Sequence, residues 1–212
     1  MIDYKKTSLA NQVFEAIEKS ILTGYYKKGE VLSESTLSEE LGVSRTPVRE
    51  AILRLENEML VATTPSGTIV LGITDEDVED MFLVKKSLEP LAFKRAATFI
   101  TDEALEKLKN IIEQQEFYAS KGDVEVLQNL DTEFHDLIYA YSKSPVLYSI
   151  LSPNHHKLLK FRRASLEKRG RIMHSVEEHF ALFNALSARD GDKAEALMRE
   201  HIDHSYNNLK ED

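Results

Sequence analysis

Two amphipathic segments in the first quarter of the chain are separated by a turn of only a few residues, which allows few folds. The first segment covers about residues 35–41, with Ser35 or Thr36 available to cap its free amides. Gly42 follows it, where a left-handed residue ends many helices. The next helix begins within residues 44–47, where Pro47 is tolerated because first-turn amides have no partner within the helix. This short connection predicts a helix-turn-helix.

The segments on either side extend this motif. Another amphipathic helix precedes it over residues 8–23, and residues 60–71 change to a period of two around a turn at 65–67, which predicts a β-hairpin. Arg45 and Arg49, four residues apart, lie opposite the apolar stripe of the helix after the turn. That stripe consists of Val48, Ala51, Ile52 and Leu55. The order favours a winged helix-turn-helix whose third helix enters a major groove, although a small helical packing module without a ligand has the same pattern.

The rest of the chain repeats the helical period only. Pro90 and Pro153 are expected to kink or split two of the segments. The predicted helices cover residues 75–99, 102–121, 123–143, 145–169, 171–189 and 191–211. We therefore predict a mainly α protein, with a winged helix-turn-helix over residues 1–73 and an antiparallel helical bundle over residues 74–212.

Charge and composition limit the class of protein. The net charge is −9, with −2 before residue 73 and −7 after it, so any nucleic-acid surface must be a local patch on the first part. The absence of cysteine excludes disulfides and thiolate metal sites and fits a reducing cytoplasm. We expect neither a membrane span nor a secretory signal, because no apolar run reaches about 20 residues.

One group of side chains in the second part has metal-ligating chemistry. Asp131 and His135 lie four apart on one predicted helix, and His179 and His201 lie among apolar residues on two later helices. A carboxylate and three neutral imidazoles suit a divalent ion such as Zn²⁺, Ni²⁺ or Mn²⁺. Spacing alone also allows ordinary hydrogen-bonded core histidines. His174 is a weaker candidate, and the pair at 155–156 is expected at the surface.

Residues 41–56, LGVSRTPVREAILRLE, closely resemble the signature of GntR-family bacterial transcription regulators. The resemblance implies a winged helix-turn-helix that binds double-stranded operator DNA. Two positions depart from the family pattern, because Ser35 stands where several relatives have an arginine and Met59 replaces a usual glycine. The DNA-contacting residues implied by the resemblance are Ser44, Arg45, Thr46, Arg49 and Gly67.

The second part resembles the all-helical effector domain of the FadR-like branch of that family, known as the FCD domain. The similarity lies in residues 83–90, 131–135, 178–179 and 191–201. It implies that Asp131 and the three histidines bind a divalent metal, which helps to hold a small carboxylate effector. Lys85 stands where an arginine is usual, and we expect it, Arg162 and Arg163 to contact that effector. The two arginines also fit a solvated basic face.

The favoured interpretation is a ligand-responsive transcription regulator. We expect a homodimer, because one winged helix of net charge −2 offers few phosphate contacts. The alternative is a metal-dependent hydrolase using the same aspartate and histidines, for which Glu178 is the best general base but points away from His179. A helical scaffold that binds only another protein is a third possibility, which predicts neither DNA nor metal binding.

Overall fold

The computed structural model describes residues 8–65, 67–161 and 169–210. The chain divides into two compact units between Asp75 and Glu76. The described residues of the first unit form α1 (Leu9–Leu22), β1 (Val31–Leu32), α2 (Glu34–Leu41), α3 (Arg45–Asn57), β2 (Val61–Thr64) and β3 (Gly67–Val70). Those of the second form α4 (Asp75–Phe99), α5 (Asp102–Lys121), α6 (Val124–Tyr141), α7 (Pro145–Phe161), α8 (Arg169–Ser187) and α9 (Gly191–Lys210).

The first unit has the winged helix-turn-helix order that the sequence predicts. α1 and α2 both pack against α3, and the three strands form an antiparallel sheet in the order β1-β3-β2. Gly42 ends α2 in the left-handed conformation, with φ of 65°, as expected. The apolar stripe of α3 is buried, as predicted, against side chains of α1 such as Ile17 and Ile21. Each such aliphatic side chain contributes about 1.5–3 kcal/mol when fully buried.

One local expectation in this unit is wrong, and one element was not predicted. The cap of α2 is Ser33 rather than Ser35 or Thr36, because the helix begins one residue earlier than predicted, and Ser33 Oγ accepts from the Thr36 amide at 3.0 Å. β1 has only two residues, which pair with Thr68 and Ile69 of β3. A strand this short has no period in the sequence, so pattern analysis missed it.

The second unit is a helical bundle, which confirms the predicted class. α5 packs on α6 and α8, α6 packs on α7, and α8 packs on α9. Pro90 lies inside α4 and Pro153 inside α7, and neither proline splits its helix. None of the helices among the described residues is long and apolar enough to cross a bilayer.

Candidate nucleic-acid interface and metal centre

The start of α3 is an exposed cationic surface. Ser44, Arg45 and Thr46 are exposed, and Ser44 is the N-cap residue but makes no side-chain capping bond. Arg45 makes no hydrogen bond or ion pair with any side chain in the described parts of the chain. Because these side chains are exposed, their donors are available to another partner.

Arg49, one turn further along α3, is held by a neighbouring carboxylate. Its Nε and one terminal nitrogen donate to the two carboxylate oxygens of Glu34, at 2.9 and 2.7 Å. The hydrogen bonds from Arg49 hold the pKa of Glu34 below its usual value. Because the pair is exposed to solvent, it contributes little to stability, and Arg49 can leave it at little cost.

Gly67 lies at the start of β3, opposite Thr64 at the end of β2. Its φ is 129°, and a Cβ there would lie 2.9 Å from Cγ1 of Val31. The glycine therefore allows β1 to approach the hairpin, a structural reason for this residue independent of any DNA contact.

Three of the predicted metal ligands lie together inside the helical bundle. His135 on α6, His179 on α8 and His201 on α9 are buried, with exposed fractions of 0, 1 and 6%. One ring nitrogen from each lies within 4.8 Å of the others. The rings also contact one another and Phe134, which stacks on His179 with ring centroids 4.2 Å apart.

Each of these imidazoles has an acceptor beside its Nδ1 atom. Nδ1 of His135 lies 2.8 Å from a Glu89 carboxylate oxygen, and Nδ1 of His179 lies 2.8 Å from the amide oxygen of Gln115. Nδ1 of His201 lies 2.6 Å from Oε2 of Glu178. With Nδ1–H donated outward in each ring, the Nε2 lone pairs are available on the inner side.

The inner ring nitrogens fit a metal ion better than a closed hydrogen-bond network. Within the described ranges, Nε2 of both His135 and His179 is buried without a hydrogen-bond partner, which is unfavourable for a polar atom unless something else binds it. Burial lowers the pKa of His179 well below its usual value, so this ring is neutral near pH 7 and can donate its lone pair. The residues present therefore fit a divalent cation.

The fourth predicted ligand, Asp131, lies on the same helix as His135 and beside His179 and His155. Its Oδ1 lies 3.6 Å from Nε2 of His179, and its Oδ2 lies 3.1 Å from Nε2 of His155. Burial opposes ionisation, but the contact with His155 and the charges of nearby imidazoles hold the pKa of Asp131 below its usual value. The aspartate is therefore a carboxylate beside the histidines.

The expected surface position of His155 is wrong. His155 is 3% exposed, because α7 turns it toward α4 and α6, where Lys85 donates to its Nδ1 at 2.8 Å. The following residue, His156, is half-buried and lies 2.8 Å from Asp136. Two consecutive helical residues point about 100° apart, so one can be buried while the other reaches solvent.

A buried ion pair supports this group from α4. Lys85 lies 3.0 Å from Glu89, one turn away, and Tyr139 donates to the same carboxylate. Burial opposes ionisation of Glu89, yet the charges of Lys85 and His135 hold its pKa below the usual value. Lys85 is thus already bonded to Glu89 and His155 in the interior.

A small cavity of about 50 Å³ borders Asp131 and His179 on one side of the cluster. It has room for a few water molecules or the carboxylate group of a small ligand. Lys85 does not line this cavity. Arg162 and Arg163 lie outside the described residues, so their predicted effector contact stays a prediction.

Sequence reasoning missed the partners that orient the histidines. Glu178 does point away from His179, as helical geometry requires, but it reaches His201 on the neighbouring helix. Gln115 lies 64 residues before its partner His179 in the chain. A polar residue at an apolar position of the helical period, as at Gln115, is the one available signal for such a partner.

Comparison with known proteins gives both parts of the chain a family. Residues 9–70 match the family described as bacterial regulatory proteins, gntR family, and residues 80–204 match the FCD domain. The HTH-type transcriptional regulator YdhC of Bacillus subtilis (strain 168) is 27% identical over 209 residues, covering 97% of this chain and 93% of the relative. The HTH-type transcriptional repressor RspR of Escherichia coli (strain K12) is 26% identical over 192 residues, covering 90% and 84%.

A solved structure of E. coli McbR/YncC superimposes with a TM-score of 0.76 at 25% identity, covering 97% of this chain and 99% of that one. The two domain matches and these relatives indicate a transcription regulator rather than an enzyme, so the hydrolase interpretation is set aside. The chain belongs to the GntR family of DNA-binding bacterial transcription regulators, with a FadR-like FCD effector domain.

Proposed function

We propose that this regulator binds a palindromic operator as a homodimer, and that a small carboxylate metabolite raises or lowers its affinity for that operator. Arg45 and Arg49, at the start of α3, contact bases or phosphates of the DNA, and Ser44 and Thr46 lie beside them. Gly67 places the wing near the minor groove. The observation that supports the DNA contact is the exposed guanidinium of Arg45 at the start of α3, which makes no hydrogen bond or ion pair with the described residues. A second copy is needed to add phosphate contacts, with half-sites about 34–36 Å apart.

The helical unit offers an apolar surface for that second copy. Leu83 and Leu91 lie eight residues apart on α4, on the same face, with exposed fractions of 61 and 44%. Large exposed apolar side chains at helical spacing favour a subunit interface. Sedimentation at micromolar concentration tests this, and a monomer both free and on DNA would contradict the dimer.

A divalent ion, Zn²⁺, Ni²⁺ or Mn²⁺, is proposed to bind at Asp131, His135, His179 and His201. The observation that carries this step is the common orientation of the three rings, with each Nδ1 beside an acceptor and the inner Nε2 atoms of His135 and His179 unpartnered. When bound, the ion would supply coordination positions for a carboxylate oxygen. The cavity beside Asp131 and His179 is where such an effector would enter.

The surrounding side chains prepare this arrangement. Lys85 donates to His155, and the His155 ring faces the Asp131 carboxylate. This series of contacts sets the position of the aspartate. Direct effector contacts by Lys85, Arg162 and Arg163 remain part of the proposal. Binding of the metabolite would alter the spacing of the two recognition helices in the dimer. The resulting change in DNA affinity is the coupling free energy between the effector site and the DNA-binding site.

Two measurements test the proposed function. A gel shift with the DNA upstream of its own gene should show specific binding by the parent protein. Elemental analysis of the purified protein should find one tightly held divalent metal, which should be lost in His135→Ala. An absence of metal, with no thermal shift on adding Zn²⁺, Ni²⁺ or Mn²⁺, would identify the three rings as ordinary core histidines.

A further inference from the structure

A second group of metal-ligating side chains lies at the surface, outside the buried histidine cluster. It consists of His174 and Glu178 on α8 and His204 on α9. One ligand atom from each residue lies within 4.8 Å of the other two. We call these three residues the outer triad.

The geometry of the outer triad centres on one carboxylate oxygen. Oε1 of Glu178 lies 2.5 Å from Nδ1 of His204 and 3.2 Å from Nε2 of His174. The two imidazole rings have their centroids 5.4 Å apart. His174 and Glu178 are four residues apart on one helix, so both project from one face, and His204 approaches from the neighbouring helix.

Burial does not explain why these rings converge. The side chains of His174 and His204 are 54 and 50% exposed, so water can satisfy their nitrogens. Ordering two exposed side chains around one oxygen has an entropic cost that an exposed hydrogen bond scarcely offsets. Two imidazole nitrogens and a carboxylate oxygen within 4.8 Å of one another are, by contrast, a donor set that suits Zn²⁺ or Ni²⁺.

We propose that the outer triad is a second divalent-metal site, which takes a borderline cation such as Zn²⁺ or Ni²⁺ and completes its coordination with water. The bound ion would connect α8 to α9. Glu178 uses its other oxygen, Oε2, for His201 of the buried cluster, so one carboxylate contacts both groups. The outer site is nevertheless made of its own three ligands and does not require an ion at the buried cluster.

The test is a titration of the metal-stripped full chain with Zn²⁺, using calorimetry and a competing chromophoric chelator. We expect the parent to bind a weaker, readily chelated equivalent in addition to any tight one. The variant carrying His174→Gln and His204→Gln should bind that equivalent at least about tenfold more weakly. Both substitutions are at half-exposed positions, so the fold should be retained, which circular dichroism would check. His156→Gln is the matched control, because the one carboxylate that His156 contacts among the described residues is that of Asp136, and its other contacts there are with Ser152 and the His155 ring.

The outcomes separate the two metal proposals. Loss of the weaker equivalent in the double variant, with binding retained in the control, supports the outer site whether or not a tight equivalent exists. A weaker equivalent that is unchanged in the double variant overturns it, as does a parent that binds only one tight equivalent. A parent that binds only the weaker, triad-dependent equivalent supports the outer site and refutes the ion at the buried cluster.

Discussion

The exposed start of α3 and the buried histidine cluster are both sets of polar side chains, but they are satisfied in opposite ways. The residues of the α3 surface, Ser44, Arg45, Thr46 and Arg49, come from one short segment and are exposed, and Arg49 makes an exposed ion pair with Glu34. The cluster draws its members from α6, α8 and α9, and each Nδ1 atom has a protein acceptor. An exposed donor is free for another molecule, whereas a buried one must be partnered within the fold. Substitutions on α3 should therefore change binding, and substitutions around the cluster should change stability.

The largest loss of stability should follow from breaking the buried ion pair between Lys85 and Glu89, which supports the cluster. Lys85→Met leaves the fully buried carboxylate of Glu89 without its cation, which should lower the free energy of unfolding by about 3–5 kcal/mol. Lys86→Met is the matched control, since Lys86 is the next residue and its own ion pair, with Asp203, lies at the surface and should contribute at most about 1 kcal/mol. Urea unfolding measures both. Equal losses for the two variants would contradict the contrast between buried and exposed charges.

Metal removal should come next in size. A ligand that binds only the folded state stabilises it by about 2.7 kcal/mol when its free concentration is a hundredfold above Kd. Chelation should therefore lower the Tm of the parent, and adding back Zn²⁺, Ni²⁺ or Mn²⁺ should restore it. The variant His135→Ala should respond much less to either treatment. An unchanged Tm in the chelated parent would count against metal binding at the cluster.

Arg45→Ala tests the exposed side of the comparison. The loss of a base-reading arginine should weaken operator binding by about 1–3 kcal/mol, while the free energy of unfolding stays within about 0.5 kcal/mol of the parent. Fluorescence anisotropy at fixed salt measures the first quantity. Lys19→Ala, which removes an equal charge from the exposed end of α1, is the control. If Arg45→Ala binds operator like the parent, the major-groove assignment of α3 is wrong.

Met59 provides a smaller test in the same unit. It adopts a left-handed φ of 56° just after α3, where a non-glycine residue is strained, and its side chain is 72% exposed. Met59→Gly should raise the free energy of unfolding by about 0.5–1 kcal/mol. This is the backbone strain that the glycine removes, less the larger conformational entropy that a glycine loses on folding. Met59→Ala keeps the strain and should show no such gain in urea unfolding. A gain in the alanine variant would point to the side chain instead.

The smallest effect concerns Glu34, which holds Arg49 in the free protein. Glu34→Gln should raise operator affinity by less than about 1 kcal/mol, for two reasons. Arg49 then has no ion pair to break when it binds DNA, and one negative charge near the DNA is removed. The pair also weakens as pH falls through the lowered pKa of Glu34, so the difference between parent and variant should shrink in acid. Reduced affinity in Glu34→Gln would mean that the carboxylate orients Arg49 for binding.

Most of the fold could be predicted from local patterns. The apolar period located the helices of both units to within a few residues, and the cap glycine at 42 marked the tight turn. Residues 162–168, which the predicted helix over 145–169 includes, lie outside the described residues. These features depend on neighbours three or four residues apart, which the sequence displays directly. The two-residue strand β1 could not be found this way, because its pairing with β3 joins residues 38 and 36 positions apart.

By itself, then, the sequence determined the two-part organisation, the exposed arginines of α3 and the inward-facing positions of His135, His179 and His201. Only the tertiary structure decided which polar groups share the interior with those rings. It buried His155, which local pattern had placed at the surface, and it directed Glu178 across to His201. The physical reason is that a buried polar atom needs a hydrogen-bond partner, and packing often supplies that partner from another helix. The residue pattern along one helix does not indicate which residues of another helix will lie against it.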